Sequence, residues 1–123
     1  MTTNTEFANV TEELEWRGAL FDATPGAAHV LATEKVTCYN GFDPSASSLH
    51  IGGLVPIMGL VRLQRHGHTP IALVGGGTGM IGDPSGRDDE RQLLTVEQID
   101  DNVENIKLQL AHFLDFDVKS NPA

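Results

Sequence analysis

The run Pro70-Ile71-Ala72-Leu73-Val74 passes directly into Gly75-Gly76-Gly77-Thr78-Gly79-Met80-Ile81-Gly82-Asp83-Pro84-Ser85-Gly86, and this stretch sets the fold class. A continuous apolar run bounded by glycine fits a buried parallel strand better than a half-exposed one. The glycine-rich segment reads as a loop, with at most one helical turn. Working upstream, Val36-Thr37-Cys38-Tyr39-Asn40 is β-branched and aromatic and predicts a first strand, broken by the Gly41 to Ser45 turn. Between the strands a helix is expected from about Leu49 to Arg65, with Ser47 or Ser48 as N-cap and Gly67 as the stop. Ile51, Leu54, Val55, Met58, Val61 and Leu63 form its expected apolar face, and Pro56 is expected to bend it or weaken one backbone bond. Strand, helix, strand at this spacing predicts an α/β fold built on a right-handed βαβ unit with parallel strands.

Further along, Thr95-Val96-Glu97-Gln98 is a capping box. The helix behind it carries Ile99, Val103, Ile106, Leu110, Phe113 and Leu114 on one face. Upstream of the first strand, Thr11 is expected to cap a helix reaching Leu20, with Leu14, Arg17 and Phe21 on one side. After the Thr24-Pro25-Gly26 turn, Ala27 to Glu34 predicts a second short helix with Val30 and Leu31 as its apolar side. The expected division is an N-terminal helical segment over 1–34 and a nucleotide-binding unit over 35–123, the latter incomplete.

Composition narrows the function classes. The chain has 123 residues, 8 Lys and Arg against 17 Asp and Glu, and a net charge of −9. Such an acidic balance argues against a generic nucleic-acid binder. A lone cysteine, Cys38, forms no internal disulfide and suits a reducing compartment. With no signal sequence and no long apolar run, the expectation is a cytoplasmic protein without membrane association.

Two segments carry chemistry. Tyr39-Asn40-Gly41-Phe42-Asp43-Pro44-Ser45 leads to Leu49-His50-Ile51-Gly52-Gly53-Leu54, placing His50, Gly52 and Gly53 at a helix start beyond the carboxyl end of a strand. Unpaired N–H groups there attract phosphate, and glycine permits close approach. From spacing alone, a tightly packed, glycine-tolerant helix start is the somewhat better reading of the same letters. The second is the Gly75–Gly86 loop, at the same sheet edge, where open α/β folds bind ligands. It lacks the Gly-Lys-Ser/Thr of a P-loop, and its Gly77-x-Gly79-x-x-Gly82 match is weak alone. Asp83-Pro84-Ser85-Gly86 is also compatible with a plain β-turn.

Taken together, the Tyr39–Gly52 stretch, the Pro70–Gly86 stretch and Phe113-Leu114-Asp115-Phe116, with Trp16-Arg17-Gly18 near the start, resemble bacterial-type tyrosyl-tRNA synthetases. The resemblance runs from about Leu14 to Ala123. It implies the first half of a Rossmann-like class I synthetase catalytic domain and the activity of a tyrosine–tRNA ligase. ATP would be a substrate, accompanied by Mg2+ and with no protein-bound metal site. Carried over by position, Tyr39 would bind the substrate phenol and Asp83 its ammonium. Gly41, Asp43, His50, Gly52 and Gly53 would line the nucleotide. Ser45, where the family usually has Thr, and His50 would act on the phosphates. Arg87 and Arg91 would hold pyrophosphate from a loop.

The chain departs from that pattern in two ways. Gly53 stands where the His-x-Gly-His signature has its second His, and loss of such a contact costs about 10²–10³ in rate. The second βαβ half, the Lys-Met-Ser-Lys-Ser loop and the tRNA-binding region that the family implies are not found in this sequence. The expected partners are therefore tyrosine and ATP, with tRNA engaged by the full-length family and not by this half alone. One sheet edge and part of the apolar face should be uncovered, which predicts marginal stability, self-association or a homodimer. The alternatives are a truncated, non-catalytic paralogue that binds nucleotide, tyrosine or a partner, and another nucleotidylyl transferase of similar fold logic.

Overall fold

A computed structural model describes residues 6–75 and 94–123. The elements run α1 (Val10–Trp16), α2 (Ala27–Thr33), β1 (Thr37–Phe42), a 3-10 turn (Ile51–Gly53), α3 (Leu54–Arg65), β2 (Thr69–Val74) and α4 (Val96–Leu110). β1 and β2 pair in parallel, from Thr37 opposite Thr69 to Phe42 opposite Val74. Gly75 N–H continues the ladder onto the Phe42 carbonyl at 3.0 Å. The strands therefore end flush, and α3 is the crossover between them. The predicted α/β class and βαβ unit hold.

The core forms where α3 and α4 meet one sheet face. Phe42, Ile57, Leu60, Val61, Ile106, Leu110 and Leu114 make a single buried cluster. Ile57, Leu60, Val61 and Gln64 are the buried stripe of α3. That differs from the expected face, since Ile51 and Val55 are 85% and 77% exposed. The sheet settles the phase, because it lies against the Ile57 side of the helix.

Four local expectations are corrected. Asn9, not Thr11, caps α1, its side chain accepting from Glu12 N–H at 3.0 Å, and the helix stops at Trp16. Phe21 then lies beyond it, fully exposed. Neither Val30 nor Leu31 is buried, so α2 has no core face. The turn expected at Gly41 begins later, because Gly41 and Phe42 still pair in the ladder. Pro56 is the third residue of α3, where the backbone N–H has no intrahelical partner, so proline removes no helical bond there.

The other sheet face is open. Burial alternates along β1 and β2, with Tyr39 72%, Ile71 46% and Leu73 50% exposed on the side away from the helices. β2 is thus parallel as expected but buried on one face only. Gly67 ends α3 at φ +88°, the left-handed conformation that favours glycine. The Thr95 capping box of α4 is present in both its bonds, at 2.9 and 3.1 Å.

Candidate functional site

Flush strand ends bring the exit of β1 at Asp43 and the exit of β2 at Gly75 to one edge. On the β1 side the chain leaves Phe42, crosses exposed Asp43, buried Pro44 and exposed Ser45, and re-enters structure at His50. Ser47 and Ser48 do not cap the 3-10 turn. The His50 side chain does: its Nδ1 accepts the Gly52 N–H at 3.0 Å, and its carbonyl accepts the Gly53 N–H at 2.9 Å. An Nδ1 that accepts a backbone N–H leaves the ring proton of a neutral imidazole on Nε2. His50 is exposed, so that Nε2–H is a donor available to an anionic ligand at the sheet edge.

The two glycines after Ile51 differ in what a side chain there would meet. A Cβ on Gly52 would lie 2.7 Å from His50 Cε1 and 2.9 Å from its Nδ1. Gly53 is helical, at φ −66° and ψ −17°, and a Cβ there would meet Leu49 Cβ at 3.2 Å. Gly52 therefore keeps the imidazole in place, whereas Gly53 tolerates a side chain if Leu49 gives slightly.

Tyr39 and Gly41 share the open sheet face, opposite Ile71 and Leu73 in register. Among the described residues, a Cβ on Gly41 would meet nothing within 4 Å. An aromatic ring flanked by Ile71 and Leu73 forms an apolar floor that leads to the polar edge carrying Asp43, Ser45 and His50. Cys38 is on the helix-facing side, where burial pushes its thiol up from its ordinary value. Asp83, Arg87 and Arg91 lie outside the described residues.

Sequence reasoning missed the side chains that hold this edge. Gln109 Oε1 accepts the Leu49 N–H at 2.9 Å and its Nε2 donates to the Leu49 carbonyl at 3.3 Å. Asn102 Nδ2 donates to the Pro44 carbonyl at 2.9 Å. The available signal was polar: Asn102 and Gln109 lie on the flank of the apolar stripe of α4 rather than on its far side. Among the described residues, no group of three or more His, Cys, Asp or Glu is placed to hold a metal ion. No helix among them is long and apolar enough to cross a membrane.

Residues 31–120 match the family described as tRNA synthetases class I (W and Y). The chain is 58% identical over 114 residues to a tyrosine–tRNA ligase of Roseiflexus castenholzii, covering 93% of this chain and 27% of that protein. A tyrosine–tRNA ligase of Opitutus terrae is 55% identical over 116 residues, with coverages of 93% and 27%. Among solved structures, a C-terminally truncated mitochondrial tyrosyl-tRNA synthetase of Coccidioides posadasii superimposes with a TM-score of 0.69 at 34% identity. That match covers 88% of this chain and 29% of the other. The chain thus spans about a quarter of the length of the curated relatives it matches.

Proposed function

The chain belongs to the class I tRNA synthetases of the W and Y group, and from that premise we propose that it supplies the first βαβ part of a tyrosine-activating site. In the proposed reaction a carboxylate oxygen of tyrosine attacks the α-phosphorus of ATP. The bond to the bridging oxygen breaks, pyrophosphate leaves, and tyrosyl-adenylate remains. A ribose hydroxyl of tRNA then attacks the tyrosyl carbonyl carbon, the bond to the phosphate oxygen breaks, and AMP leaves. The acidic charge of −9 supports a reading in which the tRNA contacts lie in other parts of such a protein.

The observation that carries this reading is the flush edge, where His50 presents Nε2–H beside a helix start. Charge that grows on phosphate oxygens during the attack is stabilised by donors already aimed at it. His50 and the Ser45 hydroxyl are proposed for the phosphates, with Gly41, Asp43, Gly52 and Gly53 lining the nucleotide. Tyr39 is proposed for the substrate phenol, on the apolar floor with Ile71 and Leu73. Asp83 is proposed for the ammonium, and Arg87 and Arg91 for pyrophosphate. Magnesium would arrive with ATP and reduce the charge on its phosphates. A cytoplasmic homodimer is the proposed setting.

The test is tyrosine-dependent exchange of labelled pyrophosphate into ATP, run beside calorimetric titration of tyrosine and ATP. Exchange that needs tyrosine, and is not supported by phenylalanine, is the expected result. Failure to bind either tyrosine or ATP would sink the proposal.

A further inference from the structure

We propose that Gln109 and Asn102 of α4 are positioning residues for the loop between β1 and α3, setting where Ser45 and His50 stand. The proposal rests on the nucleotide-binding reading of that loop. Gln109 engages both backbone groups of Leu49, the residue immediately before His50. A primary amide carries an acceptor and donors in one plane, so it can pair with the N–H and C=O of a single residue and fix that peptide's direction. Asn102 engages the carbonyl of Pro44, the residue immediately before Ser45. Pro44 is fully buried, so its carbonyl needs a hydrogen-bond partner within the fold.

The two amides lie seven positions apart, which is two helical turns or about 10.5 Å along α4. Both therefore sit on one stripe, on either side of Ile106, which is completely buried. Ile99, Ile106 and Leu110 already supply the apolar cover of that helix. Asn102 and Gln109 add something different: they hold the segment 44–49 at its two ends, so it cannot slide without breaking one anchor. The linkage continues past Leu49. The His50 carbonyl receives the Gly53 N–H at 2.9 Å and the His50 ring receives the Gly52 N–H at 3.0 Å. The imidazole direction is therefore set through the backbone of Leu49 by a glutamine sixty positions after that residue.

The experiment compares the full chain with Gln109→Ala, Gln109→Glu, Asn102→Ala and, as a control on the exposed side of α4, Leu108→Ala. Amide hydrogen exchange is read residue by residue by NMR, and ATP and tyrosine affinities are measured by calorimetry. In Gln109→Ala the Leu49 amide should exchange at least tenfold faster while the Ile71 and Leu60 amides keep their wild-type rates. ATP should bind about tenfold more weakly, with tyrosine affinity unchanged. Gln109→Glu retains the acceptor for Leu49 N–H and should recover most of the protection. Leu108→Ala should leave both readouts as in the wild type. Equal acceleration of all amides would reduce Gln109 to a stabiliser of the fold and overturn the proposal. So would unchanged Leu49 exchange, or equal weakening of ATP and tyrosine. Failure of the wild type to bind ATP would sink the functional reading, while the exchange result would still decide the clamp.

Discussion

Nε2 of His66, at the end of α3, lies 2.7 Å from Oε2 of Glu13 in α1. Glu13 is 3% exposed, and its other oxygen receives Arg17 Nε at 2.8 Å, with Arg62 Nε at 3.9 Å. One carboxylate thus gathers three basic side chains and joins the N-terminal helix to the crossover helix. Phe7 and Trp16, with ring centroids 5.5 Å apart, and Arg17 over the Trp16 ring add to the same corner.

Glu13→Ala should destabilise the chain by about 2 kcal/mol. Removing one partner of a fully buried pair costs roughly 3–5 kcal/mol, because the other charge stays buried and unpaired. Here Arg17 is 39% exposed and can turn to water, so the loss is smaller. Chemical denaturation checks this, and an unchanged midpoint would refute the role assigned to Glu13.

Stability should fall as the solution is acidified through the titration of His68. Burial lowers its value from the ordinary 6.5, neighbouring His66 adds to the lowering, and a backbone hydrogen bond with Leu31 opposes it. Its Nδ1 accepts the Val36 N–H at 3.1 Å, a bond that protonation would remove. The unfolded chain therefore binds the proton more readily. The contribution is full above pH 6.5, declines as pH drops below 6.5, and levels off beneath the lowered folded value. Wild type should lose stability relative to His68→Gln over that window; parallel stability curves for the two would rule the effect out.

Gln64→Leu should free the last residues. Gln64 Nε2 donates to the carbonyls of Asp115 and Asn121 at 2.7 and 3.0 Å, and its Oε1 accepts the Asp115 N–H at 3.0 Å. Asn121 answers by donating to the Gln64 and His68 carbonyls at 2.7 and 3.0 Å. Leucine fills the volume but leaves the Asp115 N–H and the Asp115 and Asn121 carbonyls without the Gln64 side-chain amide, at about 1–3 kcal/mol for each buried one. Limited proteolysis should cut within 115–123 much sooner in the variant, and equal protection would contradict the prediction.

Gly52→Ala should weaken ATP binding about tenfold with little change in melting temperature. The new methyl would stand 2.7 Å from His50 Cε1, so the ring must swing away and give up its bond to the Gly52 N–H. The nitrogen chemical shifts of the His50 ring report the loss directly. If they do not move, the ring was not held by that contact.

Gly53→His should raise tyrosine-dependent exchange roughly 10²-fold, toward the lower end of what a restored transition-state donor contributes. The gain is limited because its Cβ meets Leu49 Cβ at 3.2 Å and Leu49 is held by Gln109. A variant no faster than wild type would place the determinant of activity outside this signature position.

What the sequence determined by itself is what acts over a few residues or in simple periods. The Thr95–Gln98 box, the Ile99, Ile106 and Leu110 stripe of α4, the Gly67 stop and the parallel pair around Pro70–Val74 were legible, because each rests on spacing or on a backbone conformation special to one residue type. Phe113, expected on the same stripe, lies beyond the end of the helix and is 39% exposed. The two site loops were legible as letters, and their shared sheet edge follows from the βαβ connection, whereas the register that makes the strand ends flush is seen only in the structure. Tertiary structure decided the rest. The phase of α3, the open face holding Tyr39, and the capping of the 3-10 turn by His50 depend on how the helix seats on the sheet. The pairs Glu13–His66, Gln64–Asn121 and Gln109–Leu49 join residues more than fifty positions apart. No local propensity encodes such pairs: a polar side chain on an amphipathic helix finds its partner only after packing has brought a buried carbonyl or charge within about 3 Å.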